Sequence, residues 1–259
     1  MNDLNGYLEY NGLIYKIQSI EQLRDFMNGL GEKSKEMTEQ ELAVLCQVAF
    51  RDFNKEITND DDIVYSLDNR LISGVSDVVC NLQAAVTGSV VEYKIKDGTV
   101  AICDNAFNKK GVQRRRNIYM PNSIVTIGKS AFSQANIQDV VWSQKLKFIG
   151  ASAFYGCKLL KTKQGLDLPK SLAYIEAEAF ENCCNVLNVV FPDSIKKIGS
   201  YAFKSCDSLE WVYVPDTVME MGSGVFDECV NLKEIRIPRG SRTKFEKLLP
   251  FSVDKFVEV

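Results

Sequence analysis

The sequence predicts an α/β solenoid of stacked repeats over residues 91–259, joined to a small α+β module over residues 1–90. Three observations carry this reading. Pro169, Pro192, Pro215 and Pro238 stand 23 residues apart. Between them one phrase recurs with substitutions: Ile-Gly-x-x-Ala-Phe-x-x-Cys-x-x-Leu from Ile198 to Leu209, with Glu176 and Val186 departing from it before and Met221 and Val225 after, and a fixed period of this length marks a repeat whose coils bury one another's apolar edges. Finally, the two stretches differ in charge. Residues 1–90 carry 7 Lys/Arg against 15 Asp/Glu, net −8, and residues 91–259 carry 24 against 19, net +5.

Taken in order, a degenerate opening copy holds Val100, Ile102, Cys103, Ala106 and Phe107, and the next runs through Pro121, Ile124, Ile127, Gly128, Ala131 and Phe132. A third has Leu146, Ile149, Gly150, Ala153, Phe154, Cys157 and Leu160, followed by about three extra residues near Lys163-Gln164-Gly165. Regular copies follow, with Ala179-Phe180-Cys183, Ala202-Phe203-Cys206 and Val225-Phe226-Cys229 in matching slots. Val212 and Val214 alternate with Trp211 and Tyr213, the period of a short strand with one buried side. Proline ends that strand because it has no N–H for a ladder. The Ala-Phe step sends a ring into the coil interior.

These residues resemble the BspA-type leucine-rich repeat, over about residues 96–259. The resemblance implies a right-handed, curved coil of about six repeats with a parallel sheet on its concave face. The tail from about residue 239, through Phe245 and Leu248, looks like the family's closing cap. The implied role is binding of proteins or surface ligands, often by secreted or cell-surface bacterial proteins.

The leading region matches no family and is read locally. Tyr7–Tyr10, Asn11-Gly12 and Leu13–Ile17 form a β-hairpin pattern, since Asn-Gly suits the turn that matches strand twist. Ser19-Ile-Glu-Gln22 and Thr38-Glu-Gln-Glu41 are capping boxes, opening helices to about Asn28 and through Phe53. The expected role of this module is to cap the first coil, which otherwise exposes apolar surface.

Composition excludes several chemistries. The chain contains no histidine, which removes histidine-based nucleophilic catalysis, histidine metal ligands and a histidine pH switch. No apolar run reaches the roughly 18 residues of a membrane span. The start, Met-Asn-Asp-Leu-Asn-Gly, shows no secretory pattern, so the chain reads as cytoplasmic if native from Met1. A signal segment trimmed ahead of Met1 would make it secreted or cell-surface.

Candidate sites are few. Cys157, Cys183, Cys206 and Cys229 share one repeat slot and read as buried thiols, since zinc prefers cysteine pairs two to four residues apart or histidines. Ser194-Ile-Lys-Lys197 matches a hydrolase signature, but Ser194 fills the slot of Ser123 and Ser171 in other coils and reads as part of the repeat. Asn59–Asp62 lacks calcium-loop spacing and reads as a solvated acidic loop. Lys109, Lys110, Arg114, Arg115 and Arg116 form a candidate basic patch on an exposed turn, without the aromatic interleaving of a base reader, so nucleic acid is not the expected partner.

The strand residues that face away from the core matter most. Alignment of the copies places Tyr119, Asp139, Val141, Asp167, Asn188, Val190, Trp211, Tyr213, Glu234 and Arg236 there. Aromatic residues and arginine are the usual interface anchors. The expected binding face is therefore the lateral row Tyr119, Val190, Tyr213 and Arg236, with Trp211. The favoured function is a non-enzymatic binding protein with no cofactor and a protein or other macromolecular partner. The alternatives are an effector or enzyme with activity in residues 1–90 and the repeats as its targeting domain, and an assembly role with coils pairing between chains.

Overall fold

Pro121, Pro169, Pro192, Pro215 and Pro238 each stand one or two residues past a strand, where a residue without an N–H cannot extend the ladder. A computed structural model describes residues 90–107, 116–160 and 165–259, with the strand alone described at Val91. For residues 6–10, 13–17, 55–56, 64–66 and 70–73 it describes the strands they form.

Near the start, β1 (Gly6–Tyr10) pairs antiparallel with β2 (Leu13–Ile17), with Tyr10 opposite Leu13 across a two-residue connection. This is the hairpin that Asn11-Gly12 predicts. The two expected helices lie outside the described residues. Next come β3 (Lys55–Glu56), β4 (Val64–Ser66) and β5 (Arg70–Ser73), which pair antiparallel in succession.

The repeats then alternate a longer strand with a short one. The first coils give β6 (Val91–Lys94), β7 (Ala101–Ile102), β8 (Arg116–Tyr119), β9 (Thr126–Ile127), β10 (Ile137–Val141) and β11 (Phe148–Ile149). The later coils give β12 (Leu166–Asp167), β13 (Tyr174–Ile175), β14 (Asn188–Val190), β15 (Lys197–Ile198), β16 (Trp211–Tyr213), β17 (Glu220–Met221) and β18 (Glu234–Ile237). The chain closes with helix α1 (Arg242–Leu248), a 3-10 segment at Pro250–Lys255 and β19 (Phe256–Glu258), which adds parallel to β18.

Two parallel ladders result. The longer strands form a three-stranded sheet, β10-β8-β6, and a five-stranded sheet, β12-β14-β16-β18-β19. The short strands form a second ladder, absent from the sequence reading, in which β5 joins β7 and carries β4 and β3 onto its edge. Seven parallel strands from β5 to β17 mark about seven turns, one more than the six expected. The extra strand is β5, which comes from the leading region.

The expected α/β character of the coils is corrected. Among the described residues the coils hold strands and tight turns, and the α-helix lies in the closing segment. The cause is a pair of left-handed residues four positions apart in each regular turn: Ser130/Gln134, Ser152/Gly156, Glu178/Asn182, Tyr201/Ser205 and Gly224/Glu228, all with φ between 52° and 67°. A left-handed residue ends an α-helix after one turn. The freed N–H groups instead cross to the next coil, as in Tyr201 to Ser223, Phe203 to Val225 and Ser205 to Asp227, each 2.9 Å.

The core runs along the stack. Phe107, Phe132, Phe154, Phe180 and Phe203 stack with ring centroids 4.7, 5.0, 5.2 and 5.0 Å apart, and Phe226 follows at 6.1 Å. At the far end the cap buries Phe245 completely, its ring 6.5 Å from that of Phe256. Ser241 precedes α1 and donates to the Pro238 carbonyl, tying the cap to the last strand. Among the described residues, no helix is long and apolar enough to cross a membrane.

The buried cysteine thiols are matched between coils. The thiols of Cys157, Cys183, Cys206 and Cys229 donate to the carbonyls of Phe132, Phe154, Phe180 and Phe203, at 3.0–3.3 Å. Burial pushes Cys157 up from an ordinary 9.0 to about 12, and Cys183 well above its ordinary value. The folded state therefore favours the neutral thiol. Its contribution is complete below pH 9 and is lost as pH rises through about 12. We expect the melting temperature to fall as pH rises above about 9 and Cys157→Ala to flatten that decline. Parallel pH profiles for the two proteins would reject this cause.

Candidate binding face

Strand alternation turns every second side chain of the longer strands outward. Along β16, Val212 is fully buried while Trp211 and Tyr213 on either side are half-buried. The parallel register then sets two outward lines. One runs Asn188, Trp211, Glu234. The other runs Asp167, Val190, Tyr213, Arg236, Val257. Backbone pairing fixes both, so the side chains occupy set positions about 4.8 Å apart across the sheet.

The densest part of this face is at Trp211. The Arg236 guanidinium lies 4.0 Å from the Trp211 ring centroid. Its other side is held by Glu234, with Arg236 Nη2 2.8 Å and Nε 2.9 Å from Glu234 Oε2. One cation is thus braced between an indole and a carboxylate, which locks three long side chains together. Val190 and Val257 extend the face as exposed apolar positions.

Of the predicted residues, the five-stranded sheet brings together Val190, Trp211, Tyr213 and Arg236. Tyr119 stands apart from them. It ends β8 in the three-stranded sheet, opposite Val141 and Lys94. The expected row is therefore split between two sheets, since among the described residues no ladder joins β10 to β12. Tyr119 donates to Glu92 at 3.3 Å, and Lys94 lies 5.9 Å from its ring. Partial desolvation, with the nearby Glu92 carboxylate, raises its phenol pKa.

The other candidates fall as follows. Lys109, Lys110, Arg114 and Arg115 lie outside the described residues, as does the acidic run 59–62. Arg116 opens β8 with only 4% exposure, which withdraws its side chain from an exposed patch. Ser194 Oγ lies 2.7 Å from the carbonyl oxygens of both Lys170 and Leu172, which share its one proton, while Lys197 pairs with Glu176 at 3.3 Å. Serine and lysine thus serve the repeat separately. Among the described residues, no group of acidic, cysteine or histidine side chains is placed to hold a metal ion.

The repeated strand, turn and phenylalanine column define the class, a leucine-rich-repeat solenoid. The profile of the BspA type leucine-rich repeat region matches six copies, over residues 85–183 and 164–248. The chain belongs to that family. Among solved structures it is similar to a leucine-rich repeat protein from Bacteroides ovatus, at 28% identity and a TM-score of 0.52. That match covers 72% of this chain and 46% of the other, so the chain spans less than half of that relative. A leucine-rich repeat protein of T. pallidum shares 25% identity with a TM-score of 0.48, covering 76% of this chain and 93% of the other. A comparison with curated proteins returns no match.

Proposed function

We propose that the chain is a non-enzymatic binding protein that holds a protein partner on the concave strand face of its solenoid. Val190, Trp211, Tyr213 and Arg236 form the contact cluster, and Tyr119 extends it onto the neighbouring sheet. The observation that carries this reading is the Trp211–Arg236–Glu234 brace beside Tyr213, all on paired strands. Residues fixed by a ladder lose little freedom on docking, so more of the contact energy appears as affinity. In this reading residues 1–90 cap the first coil, in keeping with the pairing of β5 to β7.

The test begins with a pull-down by the intact chain, followed by titration of the purified partner. Trp211→Ala with Tyr213→Ala should weaken binding by about tenfold or more, while thermal unfolding stays cooperative and well above the assay temperature. Unchanged affinity would remove this face as the binding site.

A further inference from the structure

The charges of the strand face indicate what kind of segment it takes, an inference that rests on the binding-face reading above. Two aspartates, Asp139 and Asp167, point outward from the middle of the face, on β10 and β12. Between β8 and β16 no outward strand position holds Lys or Arg. The two cations of the face stand toward its ends and are already engaged. Lys94 lies over the Tyr119 ring, and Arg236 is held between Trp211 and Glu234.

Among the described residues the aspartates have no such neutralisation. Among the described residues Asp167 makes neither an ion pair nor a hydrogen bond. Asp139 uses one oxygen to accept the Val140 N–H, at 2.8 Å, and forms no ion pair among those residues. Beside them lie apolar side chains in water. Val190 is the direct ladder neighbour of Asp167 and is 49% exposed, and Val141, two residues after Asp139, is 50% exposed.

We propose that this face binds an extended basic segment of a partner protein, with Lys or Arg heads at Asp139 and Asp167 and their methylene stems over Val141 and Val190. A long cationic side chain matches this surface because its stem covers apolar area while its head stays charged. The Tyr213 ring, two strands from Asp167 and so about 10 Å away, offers a further cation platform. Tyr119 and Trp211 already receive cations in this way. An acidic segment would meet two uncompensated carboxylates. A wholly apolar one would strip them of water without replacing it. The chain's own first 90 residues, at net −8, carry the wrong sign to be the occupant.

The full chain is titrated with fluorescent peptides of alternating Lys and Val, and with matched Glu–Val and Ser–Val peptides. The Lys–Val peptide should bind, more weakly as salt rises, and the Glu–Val peptide should not. Asp139→Asn with Asp167→Asn should weaken Lys–Val binding by about tenfold, with an unchanged melting temperature. Equal binding of the Lys–Val and Glu–Val peptides overturns the proposal. So does a double asparagine variant that binds as well as the parent. If that variant is unaffected while Trp211→Ala with Tyr213→Ala loses binding, the face stands and its basic preference falls. If neither pair matters, both readings fall. Dimers in light scattering that the asparagine pair dissolves assign the face to a second copy and overturn a heterologous partner.

Discussion

Phe180→Ala should lower the unfolding free energy by about 3–5 kcal/mol in urea melts. Phe180 is fully buried and stacked on both sides, 5.2 Å from Phe154 and 5.0 Å from Phe203. Truncation removes the contacts of one ring and leaves a hole facing two others. The hole cannot close. The coils above and below are held at strand spacing by backbone bonds such as Phe180 N–H to the Ala202 carbonyl, 2.8 Å. Because each coil touches only its neighbours, the loss also weakens coupling along the stack. A lower denaturant slope would report that uncoupling. Phe226→Ala is the internal control. Its ring is tilted, 6.1 Å from Phe203, at the end of the column, so its loss should be smaller. A Phe180→Ala cost below about 1 kcal/mol, the average for any substitution, would contradict a shared ring column.

Gly199→Ala should cost about 3 kcal/mol or more, the upper range for overpacking. A Cβ at Gly199 would lie 2.4 Å from Ala177 N, 2.5 Å from the Glu176 carbonyl carbon and 2.9 Å from Ala177 Cα. All three are backbone atoms of the preceding coil and cannot swing aside. The coils cannot separate either, because the Gly199 N–H bonds the Ile175 carbonyl at 2.8 Å. Gly240→Ala provides the contrast. Nothing lies within 4 Å there, and only its φ of +78° is strained, for which about 1 kcal/mol is expected. Thermal melts of the two variants separate close approach from backbone strain. Equal losses would show that coil contact is not what requires glycine at 199.

The ring column was legible because one aromatic slot recurs at a constant stride, and only an interior position demands the same residue in coil after coil. The hairpin was legible from Asn11-Gly12. The left-handed pairs were not. Ser130, Gln134, Glu178 and Tyr201 hold positive φ without glycine, and no residue type there announces it. The cysteine slot was read correctly as buried. Its hydrogen bonding to the preceding phenylalanine carbonyl depends on coil registry, which residue type does not encode. On the face, alternation identified which side chains point outward, but not that Arg236 folds back onto Trp211. Tyr119 shares their slot in the repeat, yet it stands in the three-stranded sheet and they in the five-stranded one.

The constant stride of the later coils has a consequence for how such a protein changes size. Each unit meets the next through the same contacts, so one whole unit can be gained or lost with both junctions left native, whereas a cut elsewhere breaks two. The outward strand face therefore lengthens in steps of one strand, about 4.8 Å.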